Sequence, residues 1–134
     1  MKLLLKTHNK FSNNFNQSKH LLKFGTFGIK VLENYLIEKS KLDSLHFILI
    51  RKFKNLESKK KIKVWNYLIL NYSLTKLPLE SRMGKGKGAI FSSGIFLNSG
   101  NIIFEFSNIN LNEALEIFFC INKKISIKLK LIQK

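Results

Sequence analysis

The 134-residue sequence has one cysteine, one proline and no long apolar run, and each scarcity excludes a class of protein. A single thiol, Cys120, can form neither an internal disulfide nor a cysteine-rich zinc cluster, so a reducing compartment is the simpler interpretation. The apolar run at residues 45–50 contains His46 and ends before Arg51, far short of the roughly 18 residues that suggest a membrane span. We therefore expect no transmembrane segment.

Acidic residues are also scarce, because eight Asp and Glu stand against 24 Lys and Arg and give a formal net charge of +16. Such a chain repels itself unless a polyanion neutralises it, so nucleic acid or an anionic membrane is the expected partner. Only two basic residues are arginine, and the abundant types are 22 Lys, 16 Ile, 14 Asn and 12 Phe. Their codons are rich in A and T, which suggests an AT-biased genome such as that of an organelle.

The first part of the chain is basic, with no acidic residue before Glu33. It is either an import presequence or a basic arm that becomes ordered against RNA. We expect an arm over residues 1–23, followed by one folded domain over residues 24–134, for which the hydrophobic content of 45% is sufficient. The candidate RNA-binding side chains of the arm are Lys6, Lys10, Lys19, His20 and Lys23.

Several segments have the alternating or branched apolar content of strands. They are residues 24–32, 62–70, 95–97, 101–106 and 125–131. Asn98, Ser99 and Gly100 separate the third and fourth segments and favour a tight turn, so these two should form a hairpin. In the first segment we expect the glycines to lie where the backbone passes closely against a neighbour.

Two segments have the spacing of amphipathic helices. The first covers residues 38–55, with Leu42, Leu45, Leu49 and Phe53 on one face. The second runs from a capping-box pattern at Asn110 and Glu113 to about residue 122. Its expected apolar face consists of Leu111, Ala114, Leu115, Phe118 and Phe119. Strands and helices together predict an α+β domain.

Between these elements, residues 78–90 should form an exposed loop, because Pro78 and three spaced glycines preclude a stable helix. Glycines let the backbone approach a sugar-phosphate chain, lysines offer point charges and arginine offers a planar fork. The candidate RNA-binding residues of the loop are Ser81, Arg82, Met83, Gly84, Lys85, Gly86, Lys87 and Gly88. By composition alone, a solvated loop that aids solubility is the alternative. The spacing excludes a nucleotide-binding GxxxxGK[ST] loop.

The sequence shows no catalytic or metal-binding constellation. The histidines, at positions 8, 20 and 46, have no metal-ligand spacing with one another or with Cys120, for which we expect a buried, unreactive thiol. Residues 92–94, Ser-Ser-Gly, should be a linker, and Glu105 should pair with a lysine. We therefore expect a protein that is not an enzyme and has no cofactor and no metal.

Five segments resemble one protein family, and the loop is the most specific of them. The loop and its preceding residues, Pro78-Leu79-Glu80-Ser81-Arg82-Met83-Gly84-Lys85-Gly86-Lys87-Gly88, resemble a motif of the L-sixteen family of bacterial and organellar large-subunit ribosomal proteins. Phe24-Gly25-Thr26-Phe27-Gly28-Ile29-Lys30 is similar to the family's FG-x-FG strand, and Lys63-Val64-Trp65 to its Lys-Ile-Trp strand. Gly100-Asn101-Ile102-Ile103-Phe104-Glu105 and Ile127-Lys128 resemble two later segments in the same order.

The resemblance implies a hammerhead-type α+β domain on large-subunit rRNA, near the aminoacyl-site tRNA and beside other ribosomal proteins, without homo-oligomers. It places Arg82, Met83, Lys85 and Lys87 near the peptidyl transferase region, in positional roles. The organelle would be the mitochondrion, with the plastid as alternative. The sequence departs from the family where an arginine pair falls near His46 and Phe47, a tryptophan near Ser93 and a proline at Ser126, and the family's Arg- and Lys-rich arm is only loosely matched.

Two other hypotheses remain open at this point. A peripheral membrane protein would place its lysine-rich arm and Leu3, Leu4 and Leu5 on anionic lipid, and would bind liposomes without RNA. A phosphate-handling enzyme would use the loop as an anion cradle and would show turnover, although acid, base and metal residues are missing.

Overall fold

The computed structural model describes residues 5–8, 20–57, 61–84 and 86–134, in which seven strands and two helices form. In chain order they are β1 (Phe27–Val31), β2 (Tyr35–Glu38), α1 (Lys39–Glu57), β3 (Lys63–Asn66), β4 (Tyr72–Lys76), β5 (Ala89–Leu97), β6 (Ile102–Ser107), α2 (Leu111–Asn122) and β7 (Leu129–Gln133).

The strands form two antiparallel sheets. One has four strands in the order β3-β6-β1-β7, and the other has three in the order β2-β5-β4. Strand β6 is buried along its whole length at the centre of the larger sheet. The arrangement confirms the predicted α+β class with antiparallel sheets and two amphipathic helices.

The helices pack their apolar faces into a common core. Helix α1 buries Leu42, Leu45, Leu49 and Phe53, as its spacing predicted. The capping box of α2 is present, because the Asn110 N–H donates to the Glu113 carboxylate at 2.8 Å. The predicted face of α2 was partly wrong. Its buried residues are Ala114, Ile117 and Ile121, whereas Leu111 and Phe119 are about half exposed or more.

Two strands differ from the sequence prediction for local reasons. The predicted strand at 62–70 ends at Asn66, whose side-chain oxygen accepts the Leu68 N–H at 2.9 Å and turns the chain away. Strand β4 was not predicted, because its inward-facing residue is a serine. Ser73 is fully buried while Leu74 is only half-buried, so no apolar alternation marks this strand.

The linker predicted at residues 92–94 is wrong, since these residues lie inside β5 and pair with β4, and Gly94 pairs with β2 as well. Gly94 is opposite Glu38 on β2 and Tyr72 on β4. A Cβ atom at Gly94 would lie 2.9 Å from the Ile37 carbonyl oxygen. Small residues here serve close strand packing rather than a flexible connection.

The predicted hairpin is also wrong, because β5 and β6 belong to different sheets. The tight turn exists, with Gly100 at a φ of 95°. However, its backbone is held by β1: the Gly100 N–H donates to the Val31 oxygen at 2.8 Å, and the Val31 N–H donates to the Asn101 oxygen at 2.9 Å. The turn therefore carries the chain from one sheet into the other.

The C-terminal alternation is confirmed as a burial pattern. Ile125, Ile127 and Leu129 are buried and the residues between them are exposed, although the strand itself begins at Leu129. The prediction of a buried thiol was wrong, since Cys120 is only half-buried in α2.

Candidate nucleic-acid interface

The glycine-lysine loop connects β4 to β5 and is mostly exposed, as predicted. A turn begins it, in which the Ser81 N–H donates to the Pro78 oxygen at 3.1 Å. Beyond the turn, Arg82 and Met83 are exposed. The relative exposure of Met83 is 102%, so it is as accessible as a free residue. These side chains have no internal surface to pack on, so they are available to a partner.

The glycines of the loop have two different structural roles. Gly84 and Gly86 have φ values of 89° and 80°, a conformation that side chains disfavour, and a Cβ atom there would meet nothing within 4 Å. A Cβ atom at Gly88 would instead lie 2.4 Å from the Lys76 carbonyl oxygen. Gly84 and Gly86 thus shape the loop, and Gly88 lets its base pack against the end of β4.

Lys6 and Lys87 are brought together at the base of the loop. The Lys6 Nζ donates to the Lys87 carbonyl oxygen at 3.0 Å, and the Lys87 Nζ donates to the Thr7 carbonyl oxygen. Each ammonium has further N–H groups that these hydrogen bonds do not use. The contact aligns two positive charges from distant parts of the sequence beside one loop.

A hydroxyl pair anchors this N-terminal segment to β4. The Thr7 N–H donates to Ser73 Oγ at 2.9 Å, and the Ser73 N–H donates to Thr7 Oγ1 at 3.0 Å. Ser73 Oγ in turn donates to the Leu5 carbonyl oxygen at 2.7 Å. We call residues 5–8 the strap. Sequence reasoning missed the Thr7–Ser73 pair, because neither residue stands in a motif.

The remaining candidate residues do not all join this site. Lys10, Lys19 and Lys85 lie outside the described residues. His20 is half-buried at the start of the segment that leads into β1. Lys23 lies just before β1, where its backbone N–H donates to the carboxylate of Glu105 on β6. The structure therefore brings Lys6 to the loop but leaves Lys23 with another group of residues.

The expected partner of Glu105 was wrong. This carboxylate is buried and accepts three backbone N–H groups, from Lys23 at 3.0 Å, Phe24 at 2.9 Å and Gly25 at 2.8 Å. Burial alone would raise the pKa of Glu105, but the three backbone donors, together with the Tyr67 hydroxyl, outweigh burial and hold the pKa below its ordinary value. A Cβ atom at Gly25 would lie 2.8 Å from the Glu105 Cβ, so the expected close backbone passage is confirmed there.

Little of the positive charge is neutralised internally. In the described ranges one ion pair is present, between Lys128 and Glu33 at 2.7 Å, and both side chains are largely exposed. Near the loop, the Lys76 Nζ lies 5.5 Å from the centre of the Phe91 ring, which is itself exposed. Cations beside an exposed aromatic ring suit phosphates and bases alike.

Residues 5–8, 20–57, 61–84 and 86–134 hold no group of three His, Cys, Asp or Glu side chains that could bind a metal ion. Within the same ranges, no helix is long and apolar enough to cross a membrane. An antiparallel α+β domain that exposes a cationic glycine loop belongs to the class of basic domains built to bind a polyanion.

The comparisons with known proteins make the class specific. Residues 4–132 match the family model of ribosomal protein L16p/L10e. Large ribosomal subunit protein uL16m of Chondrus crispus is 38% identical over 134 residues, which cover 99% of this chain and 97% of the relative. Protein uL16 of Carsonella ruddii is 35% identical over 85% of this chain and 81% of its own length. Protein uL16 of a Sulfurihydrogenibium species is 30% identical over 86% of this chain and 80% of its own length.

The chain belongs to the ribosomal protein L16p/L10e family. It is a structural protein of the large ribosomal subunit and not an enzyme, with rRNA and ribosomal proteins as its partners.

Proposed function

We propose that this protein binds large-subunit rRNA of a mitochondrial ribosome through its loop and arm, and helps to position the aminoacyl-site tRNA. The observation that carries the proposal is the loop itself, in which Arg82 and Met83 are exposed around a backbone shaped by Gly84 and Gly86. Such a surface has no internal role in the described fold. It fits a partner that approaches the backbone closely.

The chemistry of the proposed contact is electrostatic and geometric. Lys6 and Lys87 offer charges to phosphates, while the Arg82 guanidinium offers a planar fork for two phosphate oxygens or a base edge. Lysine-rich contacts to the sugar-phosphate chain fix position but carry little sequence information. Recognition would therefore depend mainly on the shape of the folded RNA.

The rest of the candidate site has a supporting role in this proposal. The arm residues Lys10, Lys19, His20 and Lys23 would follow the RNA backbone away from the loop, ahead of a domain at residues 24–134. His46 and Phe47 are exposed on α1, where the family's arginine pair would lie, so contacts there would be weaker. The protein would act as a single copy, since its binding surface is built within one chain.

The mitochondrial assignment rests on two observations. The Chondrus crispus relative carries the suffix m, used for mitochondrial ribosomal proteins, and it matches over nearly the whole chain. The excess of Lys, Asn, Ile and Phe is typical of an AT-rich organellar genome. The bacterial relatives from Carsonella ruddii and Sulfurihydrogenibium are less similar to this chain, with lower identity over a smaller part of it.

Ultraviolet crosslinking of the native protein, followed by sequencing of the bound RNA, tests the proposal. The test variant is a triple change to alanine at Arg82, Lys85 and Lys87, and the matched control is the same change at Lys123, Lys124 and Lys130, which are exposed elsewhere. Only the loop variant should lose crosslinks near the peptidyl transferase region. The loop variant should also have a shallower slope of the logarithm of rRNA affinity against the logarithm of salt concentration, by about two to three.

Equal losses in both triple variants would mean that net charge, and not the loop, drives binding. Absence of rRNA among the crosslinked RNAs would overturn the proposal. Binding to anionic liposomes without any RNA would then support the peripheral-membrane hypothesis instead.

A further inference from the structure

A cavity of about 150 Å³ opens beside β6, an inner strand of the larger sheet, and none of its lining residues belongs to the glycine-lysine loop. Its walls are mainly apolar and are formed by Leu21, Leu68, Ile95 and Ile102. Four polar residues complete the lining, namely Lys23, Tyr67, Asn101 and Glu105. An apolar cavity of about 150 Å³ accommodates a six-membered ring of benzene size.

Two polar atoms of this lining are buried and accept no hydrogen bond: the Asn101 side-chain oxygen and the oxygen of the Tyr67 hydroxyl, whose proton is directed to the Glu105 carboxylate. Each costs free energy unless a ligand or water satisfies it. Both belong to the same cavity, which makes an unfilled binding site a more economical explanation than two unrelated defects. The Asn101 oxygen can only accept, so the missing group must donate there.

The charges around the cavity define the missing group further. The Glu105 carboxylate is already satisfied by backbone donors and would repel a phosphate or another acid. Burial, and then the Glu105 charge, raise the pKa of Tyr67, so its hydroxyl stays neutral. The apolar walls lack the six or more oxygens that Mg²⁺ or Ca²⁺ needs. A neutral, flat ring with an N–H donor edge fits these conditions.

Lys23 connects the cavity to the candidate arm. It lines the cavity, and its backbone N–H is held by Glu105 at 3.0 Å, so the chain enters the folded core here. A nucleotide whose base entered the cavity would leave its phosphate outside, within the field of an exposed, flexible ammonium. This arrangement favours RNA over a free small molecule as the source of the ring.

We propose that the cavity receives one unpaired pyrimidine base of the bound RNA, with cytosine as the best match. The cytosine amino group has two N–H donors, which suit the Asn101 oxygen and the Tyr67 oxygen, and its ring fits the apolar walls. The inference rests on the proposed rRNA binding and deepens it, because it gives the protein one site of base recognition besides its phosphate contacts.

Nuclear magnetic resonance titration of the ¹⁵N-labelled full chain tests this site, with pentacytidylate, pentauridylate and pentaadenylate as probes. We expect pentacytidylate to shift the Asn101 side-chain amide signal and to bind about five- to tenfold more tightly than pentaadenylate. Tyr67→Phe and Asn101→Leu should each reduce this preference several-fold. Tyr72→Phe is the matched control, because Tyr72 packs on Phe96 in the other sheet.

The outcomes separate this inference from the proposed function. Equal binding of the three pentamers, or a preference that survives in Tyr67→Phe, would overturn the cavity site even if the wild-type protein still binds rRNA. Failure of the wild type to bind rRNA would overturn the proposed function first. Should Asn101→Leu fail to fold, Tyr67→Phe decides alone, since it removes a single oxygen atom.

Discussion

The two sheets of this protein are stabilised in opposite ways. In the larger sheet, β6 is buried along its whole length, and Glu105 is enclosed by three N–H donors of the chain itself. In the smaller sheet, β5 begins with the exposed residues Ala89, Ile90 and Phe91 and is preceded by an exposed loop. The larger sheet is specified by internal contacts, whereas the loop end of the smaller one is shaped for a partner.

This difference predicts two effects that can be measured separately. Changes in the larger sheet should lower the free energy of unfolding, and changes in the loop should weaken RNA binding. A ribosomal protein needs both regions.

The largest expected effect is on stability, from Glu105→Ala. The change leaves the part-buried N–H groups of Lys23 and Phe24 and the buried N–H group of Gly25 without an acceptor, and we expect the free energy of unfolding to fall by about 3–5 kcal/mol. Urea denaturation followed by circular dichroism measures this change. Glu33→Ala is the control and should cost less than about 1 kcal/mol, because its ion pair with Lys128 is exposed. Similar losses of unfolding free energy in both variants would contradict the view that internal contacts of Glu105 stabilise the larger sheet.

The same carboxylate should make stability depend on acid. The folded-state pKa of Glu105 lies below its ordinary value of 4.5, so its contribution is complete above that pH and is lost as the pH falls through the lower, folded-state value. Glu105→Gln cannot titrate. We expect the stability gap between wild type and Glu105→Gln to stay constant near neutral pH and to narrow as the pH falls below 4.5 in parallel denaturation curves. A gap that stays constant or widens below that pH would contradict the assigned pKa direction.

The sequence predicted the elements whose periodicity reflects burial. Helix α1 was predicted with its correct core face, because every inward position is apolar. Strand β4 was not predicted, since its inward Ser73 is satisfied by hydroxyl and backbone partners that come from residues 5–8. A polar residue that is buried against a partner distant in sequence produces no periodic pattern in its own segment.

The topology was less predictable than the elements. Residues 95–97 and 101–106 are strands joined by a tight turn, but the backbone of that turn is bonded to Val31, and no local rule contains this contact. In the candidate site, Arg82 and the glycines were found through a motif. The role of Lys6 depends on a hydrogen bond across 81 positions of sequence, which spacing could not predict.

The glycines of the loop provide a test within a single segment. Gly88→Ala should cost about 1–3 kcal/mol of stability, because the new methyl group would lie 2.4 Å from a backbone oxygen. Gly84→Ala should cost only about 1 kcal/mol, through its positive φ, but should weaken rRNA binding by changing the loop. Thermal unfolding and filter binding to large-subunit rRNA measure the two effects. If Gly84→Ala leaves binding unchanged, the loop shape is not what the RNA recognises.

The smallest expected effect concerns the strap, which connects the buried Ser73 of β4 with the exposed loop. Ser73→Ala removes the hydroxyl that accepts from Thr7 and donates to Leu5, and should cost about 1–2 kcal/mol. Because Lys6 and Lys87 are aligned by the same segment, release of the strap should also weaken rRNA binding a few-fold. Ser92→Ala is the control, since its hydroxyl bonds only within its own strand. If the double variant Ser73→Ala, Lys6→Ala binds rRNA no more weakly than Ser73→Ala alone, the two changes act through one contact. Additive losses would mean that the buried hydroxyl and the exposed lysine act separately, so that internal structure and binding surface are independent even here.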